Sequence, residues 1–301
     1  MSKVDSHASY LKSTFTVFLV LISTQAIALD DSALSQKIQS LDWQTTPDKY
    51  QLTGTSASVI TSTGEYLLEG KEAHEYARLT QGHDGFKPDA VVVRVEYPRK
   101  GTQVSYTFNE IGFVKMDDWE EQINKDTLLE EIKNGTEGTN KIREEGHASL
   151  HVDGWAQEPY LDRENATIYW AISSHDSEGG STVNAKALKL GRKGFTEILW
   201  VGPPALFANA QASLSPALAA YQYDEGFTYA DFVPDSDAVS ALGAGALAYK
   251  LIGGKVAAKA GVGVLALLAI LVKKLSFLVL VPLAFAWKWI KRFFIKSKDG
   301  V

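Results

Sequence analysis

Two apolar runs near the C-terminus, residues 262–272 and 275–287, constrain this chain more than any other feature. Only Lys273 and Lys274 separate them, and the second leads into residues 288–298 (KWIKRFFIKSK), where basic and aromatic side chains alternate. The thirteen residues of the second run make about 20 Å of helix, short of a hydrocarbon core about 30 Å thick. Continued through Ile295, with Lys288, Lys291 and Arg292 reaching toward headgroups, the segment becomes long enough to span. Trp287 and Trp289 then fall where aromatic belts form. A single helix through both runs would place two lysines mid-bilayer, at about 2.5–3.5 kcal/mol each. A hairpin would send the more basic end outward, against the positive-inside rule. The preferred arrangement is one transmembrane helix over 273–301 with a basic cytoplasmic end. Residues 238–272 then form a Gly/Ala-rich amphipathic segment on the outer leaflet, with Lys250, Lys255 and Lys259 at the interface. Gly253, Ala257 and Gly261 stand four apart, a spacing that suits a helix-packing face and a homo-oligomer through the tail, and that equally suits Gly/Ala filler.

The other end carries a second membrane-handling signal. Lys3 and Lys12 precede an apolar stretch at 15–22 (FTVFLVLI), and Ala26 and Ala28 supply a small-x-small site. This three-part pattern predicts a signal peptide over 1–28. The absence of cysteine fits an oxidising compartment and removes thiolate catalysis, Cys-ligated metal and lipidation of an N-terminal cysteine.

Charge divides along the same lines. Residues 1–28 hold +1 (Lys3 and Lys12 against Asp5) and residues 238–301 hold +9 (ten basic residues against Asp299). The net −6 therefore leaves −16 on the residues between. So acidic a body repels phosphate backbones, and no nucleic-acid partner is expected. The basic, apolar tail points to the lipid bilayer.

Residues 29–237 read as an exported α+β domain. Val91, Val93, Val95 and Tyr97 alternate, as do Val104, Tyr106 and Phe108, and Lys100-Gly101 between them predicts a hairpin. Residues 117–145 are helical in composition, with Asp126 as the N-cap. Ala148, Leu150 and Val152 alternate again. A turn at 162–165 precedes an apolar central strand over 166–172, and 173–181 reads as a polar loop. Strands near 182–190 and 195–201 flank a turn at 191–194, and Pro203-Pro204 opens an Ala-rich helix. Strands, a long helix, more strands and a helix predict an antiparallel sheet with helices packed on one face.

Five segments together resemble the DUF2167 family of membrane-anchored bacterial envelope proteins: GFVKMDD at 112–118, GWAQEPY at 154–160, IYWA at 168–171, LGRKG at 190–194 and FTYADF at 227–232, the last followed by Pro234 and Asp237. The resemblance runs from about Val104 to Phe294. It implies an exported domain with a C-terminal membrane segment, and it brings no catalytic residues.

Chemistry leaves few candidates. On the strand-like run 147–151, His147 and His151 lie about 13 Å apart, too far to share an ion unaided. His83 and His175 sit in polar loops. Asp224, Glu225, Asp231, Asp235 and Asp237 suit either a weak divalent-cation site or a solvated acidic neck, and the neck is the preferred reading since they lack calcium-loop spacing. No catalytic, cofactor-binding or metal residues are expected, and no cofactor. The candidate interaction surface is Trp155, Tyr160, Arg192, Tyr229 and Asp231, with Trp155 out of phase with Leu150 and Val152. The chain is thus expected to be a non-enzymatic protein of the inner (cytoplasmic) membrane, its acidic domain facing the periplasm and binding an envelope protein or component. The alternatives are a hydrolase using Asp153, Glu158 or Asp162, and a membrane-stress or remodelling protein acting through its tail.

Overall fold

A computed structural model describes residues 33–94 and 102–252. The chain divides into two compact units, 1–255 and 256–301, and the second lies outside the described residues. So do the signal peptide, both apolar runs, and Gly253, Ala257 and Gly261. Among the described residues no helix is long and apolar enough to cross a membrane.

The body is α+β, built on one antiparallel sheet. Its strands are β3 (Glu65–Glu69), β4 (Ala90–Arg94), β5 (Thr102–Glu110), β6 (Leu150–Asp162), β7 (Thr167–Asp176), β8 (Ser181–Gly191) and β9 (Gly194–Gly202), in the order β3-β4-β5-β9-β8-β7-β6. A smaller sheet has β2 (Ala57–Ile60) between β1 (Lys49–Gln51) and β10 (Tyr221–Tyr223). The expected pairings hold: β4 lies antiparallel to β5, and β8 turns directly into β9.

Register shows which side chains share a face. Val91, Ser105, Leu199, Lys186 and Trp170 form one transverse row, and Val92, Val104, Trp200, Ala185 and Ala171 form its neighbour on the opposite face. The first face carries α1 (Ala33–Gln39) and α2 (Gly70–Gln81) over Leu68, Val91 and Val93. It also carries α4 (Lys125–Asn140) and α6 (Ala244–Ile252) over Ile168, Trp170 and Leu188. The second face is covered as well. Ala210, Leu214 and Ala217 of α5 (Ala210–Ala220), with Val59 and Tyr221 of the small sheet, pack on Tyr169, Ala185 and Ile198. Helices therefore lie on both faces rather than one, because β7, β8 and β9 bury nearly every residue and each face needs a lid.

Three local expectations change. Residues 173–176 continue β7 instead of looping, because their backbones pair with β6 and β8 whatever their side chains. The helical stretch 117–145 breaks into α3 (Trp119–Gln122) and α4, and Asn124, not Asp126, caps α4 by accepting from Thr127 N at 3.1 Å. Residues 244–252 form α6 and pack into the body. Ala244, Leu247, Ala248, Leu251 and Ile252 recur at helical spacing, and all five are buried in the core with Trp170 and Leu188.

Candidate functional site

Three of the five recognisable segments, far apart in sequence, converge where the body hands the chain on to its C-terminal segment. Gly112 begins the convergence. Its φ of +87° suits glycine, and a Cβ there would stand 2.8 Å from Ala238 O. Its N–H donates to Lys193 O at 2.9 Å. Phe113 then forms a parallel bridge to Val239, donating to Ala238 O at 2.8 Å and accepting from Ser240 N at 2.9 Å. The Phe113 ring stacks on Phe232 at 3.8 Å and on Tyr229 at 4.5 Å between centroids. Tyr229 donates its hydroxyl to Val114 O at 2.9 Å.

Further along the same run, Lys115 O accepts from Ala244 N at 2.7 Å. Asp118 closes on the first turn of α6, taking Gly245 N at 2.9 Å and Ala246 N at 3.0 Å. A carboxylate there satisfies orphan donors and meets the positive end of the helix dipole. Gly243 is required by the same contact, since a Cβ on it would collide with the Asp118 carboxylate.

Arg192, in the β8–β9 turn, supplies the third side. Its guanidinium grips Asp237 at 2.7 and 2.9 Å and reaches Gly226 O at 3.1 Å, while its backbone N–H donates to Phe227 O at 3.0 Å. The same Asp237 accepts from Val233 N at 2.7 Å. The Arg192 guanidinium, aided by that amide, holds the Asp237 carboxyl below the usual carboxylate range. Asp231 faces inward on its own turn: its carboxylate takes the N–H and hydroxyl of Thr228 at 2.8 and 2.6 Å, a capping box. The result is a clasp that pins residues 226–246 to the body through stacked rings, a bidentate ion pair and a capped helix.

Arg192, Tyr229 and Asp231 thus come together, with their polar atoms engaged inside the chain. Trp155 and Tyr160 lie instead on β6. Trp155 sits partly buried in the core and donates Nε1 to Lys125 O at 3.2 Å. A register shift between Val152 and Gly154 adds a residue and returns Trp155 to the side of Leu150 and Val152, which explains its phase. Tyr160 is 50% exposed. Phe113, Asp118 and Gly243 were not singled out from sequence as site residues. The GFVKMDD run was the only signal for Phe113 and Asp118, and no motif pointed to Gly243.

The other candidates disperse. Asp224 accepts from Gln51, Asp231 from Thr228 and Asp237 from Arg192, so the acidic neck is not one cluster. Glu158 pairs with Lys125 at 2.7 Å, Asp153 with His175 at 2.7 Å, and Asp162 with Asn165, so the three carboxylates proposed for hydrolysis have separate partners. Among the described residues no three His, Asp or Glu are placed to share a metal ion. A pocket of about 80 Å³ is lined by Val92, Tyr106, Trp200 and the Glu65–Arg94 pair, well below the roughly 300 Å³ of a small-molecule site.

Fold and clasp define a class: an antiparallel α+β body whose C-terminal exit is locked to its own core. The chain belongs to the DUF2167 family, described as proteins of unknown function, whose sequence model matches residues 44–284. That match takes in 44–90, to which the five segments contribute nothing. No curated protein matches the chain. Among solved structures it is similar to cyanobacterial PsbP (CyanoP) from Synechocystis sp. PCC 6803, with 9% identity and a TM-score of 0.34 over 60% of this chain and 94% of that one. So distant a likeness carries no functional argument.

Proposed function

We propose that this protein is an exported envelope protein, moored in the cytoplasmic membrane by residues 273–301, whose acidic domain faces outward and binds a protein or another envelope component. One observation carries the reading: a body of −16 stands between ends of +1 and +9 that are both strongly apolar. The clasp is compatible with it, since it fixes the course of the chain as far as the first turn of α6. Separate partners for Asp153, Glu158 and Asp162 favour binding over hydrolysis.

The missing cysteines make the topology directly testable. A single cysteine at exposed Ile142 should react with a membrane-impermeant maleimide in spheroplasts, and one placed after Lys298 should react only after lysis. Labelling of both sites only after lysis would overturn the reading. Crosslinking in native membranes should recover a specific complex, and background alone would remove the binding role.

A further inference from the structure

His151 and His175 stand directly opposite each other on β6 and β7, with their imidazole rings in contact. Their ring centroids are 5.3 Å apart and the rings tilt by 33°. Each ring is held through Nδ1 by its own carboxylate: His151 by Glu137 Oε1 at 3.0 Å, and His175 by Asp153 Oδ1 at 2.7 Å. An ionised carboxylate only accepts, so Nδ1 carries the proton in both rings and Nε2 of the neutral imidazole keeps its lone pair. Carboxylate behind, bare Nε2 in front, is how metal-ligating histidines are oriented.

The separation fits as well. With metal–nitrogen bonds of about 2.0–2.1 Å and a tetrahedral angle, two imidazoles on one ion place their centroids about 5.2 Å apart.

The frame is held in advance of binding. The Asn140 side chain joins the end of α4 to the start of β6 through Leu150 N and O, at 2.9 and 2.8 Å, which sets Glu137 against His151. Across the ladder, Ser177 N donates to Ser149 O at 2.9 Å and Asp176 Oδ1 accepts from Gly180 N at 2.8 Å, closing the β7–β8 turn beside His175. Both histidines are accessible, with 40% and 46% of their side chains exposed. Two negative charges behind the rings favour a cation in front.

We propose that His151 and His175 form a two-imidazole site for a divalent transition ion, with Glu137 and Asp153 as positioning residues and the remaining coordination positions open to water or an exogenous ligand. Imidazole donors without thiolate select copper, zinc or nickel over magnesium or calcium, and the ordinary affinity order places Cu²⁺ first. The site does not depend on the mooring or on any partner.

The test uses the full chain, purified in detergent without a histidine tag and titrated with Cu²⁺ alone, then Zn²⁺ alone. One tightly held Cu²⁺ is expected, with electron paramagnetic resonance couplings from two nitrogens and weaker binding of Zn²⁺. His151→Ala and His175→Ala should each lower Cu²⁺ affinity at least about tenfold, and Glu137→Gln and Asp153→Asn about 10–100-fold. His147→Ala should leave affinity unchanged. Unaltered circular dichroism and melting temperature would show that the variants are folded, and His151→Gln with His175→Gln provides a gentler pair. Wild-type Cu²⁺ affinity in the double histidine variant, or no stoichiometric binding by the wild type, would overturn the site.

Discussion

Arg192–Asp237 and Lys125–Glu158 are equally short, 2.7 Å each, and stand in different surroundings. The first pair is mostly covered, its side chains 25% and 11% exposed, and both partners also bond backbone groups of the clasp. The second is open, 53% and 54% exposed, and rests on a single contact beside β6. Distance does not rank them. What ranks them is how many other groups lose a partner when one is removed: several in the clasp, one at the open edge. The clasp is a junction, and the β6 rim is a solvated surface with freedom to take a ligand.

Mutations should widen this contrast. The largest effect is expected for Gly112→Ala, which combines an unfavourable φ with a Cβ pressed on Ala238 O and should destabilise by about 2 kcal/mol or more, read as a lower urea midpoint. Next comes Asp118→Ala, which strips the α6 cap at about 1–2 kcal/mol on N-cap precedent. Its loss of amide protection should concentrate in residues 244–252 and leave β7 and β8 unchanged. Arg192→Lys should follow, because an ammonium cannot reproduce the forked grip on Asp237, and residues 226–240 should become more protease-sensitive. Lys125→Ala should stay within measurement error of the wild type.

Acid separates the regions too. Burial holds His74 and His83 below the ordinary imidazole range, so the unfolded chain takes up these protons first. Global stability should therefore fall as the pH drops through about 6.5. Asp237 has the depressed-carboxylate sign: its contribution is complete above an unfolded value of about 3.9 and disappears only as the pH falls further. The urea midpoint should thus begin to drop near neutrality, with α6 protection surviving until below about pH 4. Simultaneous loss of both would show that the clasp has no independent electrostatic hold.

Local patterns made much of the sheet legible in advance. The β8–β9 hairpin and the β4–β5 pair follow from alternation around turn residues, because those strands are neighbours in sequence. Longer reaches were not visible. Thr182, Asn184 and Lys186 alternate with Val183, Ala185 and Ala187 as if half of β8 were solvated, yet Lys186 is 3% exposed, paired with Glu197 at 2.8 Å. No periodicity reports a second lid. A one-residue bulge near Asp153 erased the phase rule that set Trp155 apart. The Gly/Ala-rich composition of 244–252 suits a membrane or a tightly packed helix equally, and the contact that caps it comes from Asp118, more than a hundred residues upstream. The cross-strand partner of His151 proved to be His175, which pairing reveals and sequence spacing cannot.

Native-state hydrogen exchange on Ala244–Ile252, in the wild type and in the Asp118→Ala, Arg192→Lys and doubly substituted chains, tests the junction most directly. Wild-type amides there should be protected nearly as well as those of β7. Each substitution should lower that protection, and their effects should be non-additive because both act on one clasp. If the helix exchanges freely in the wild type, or ignores both substitutions, the body is not locked to its exit and the account is wrong.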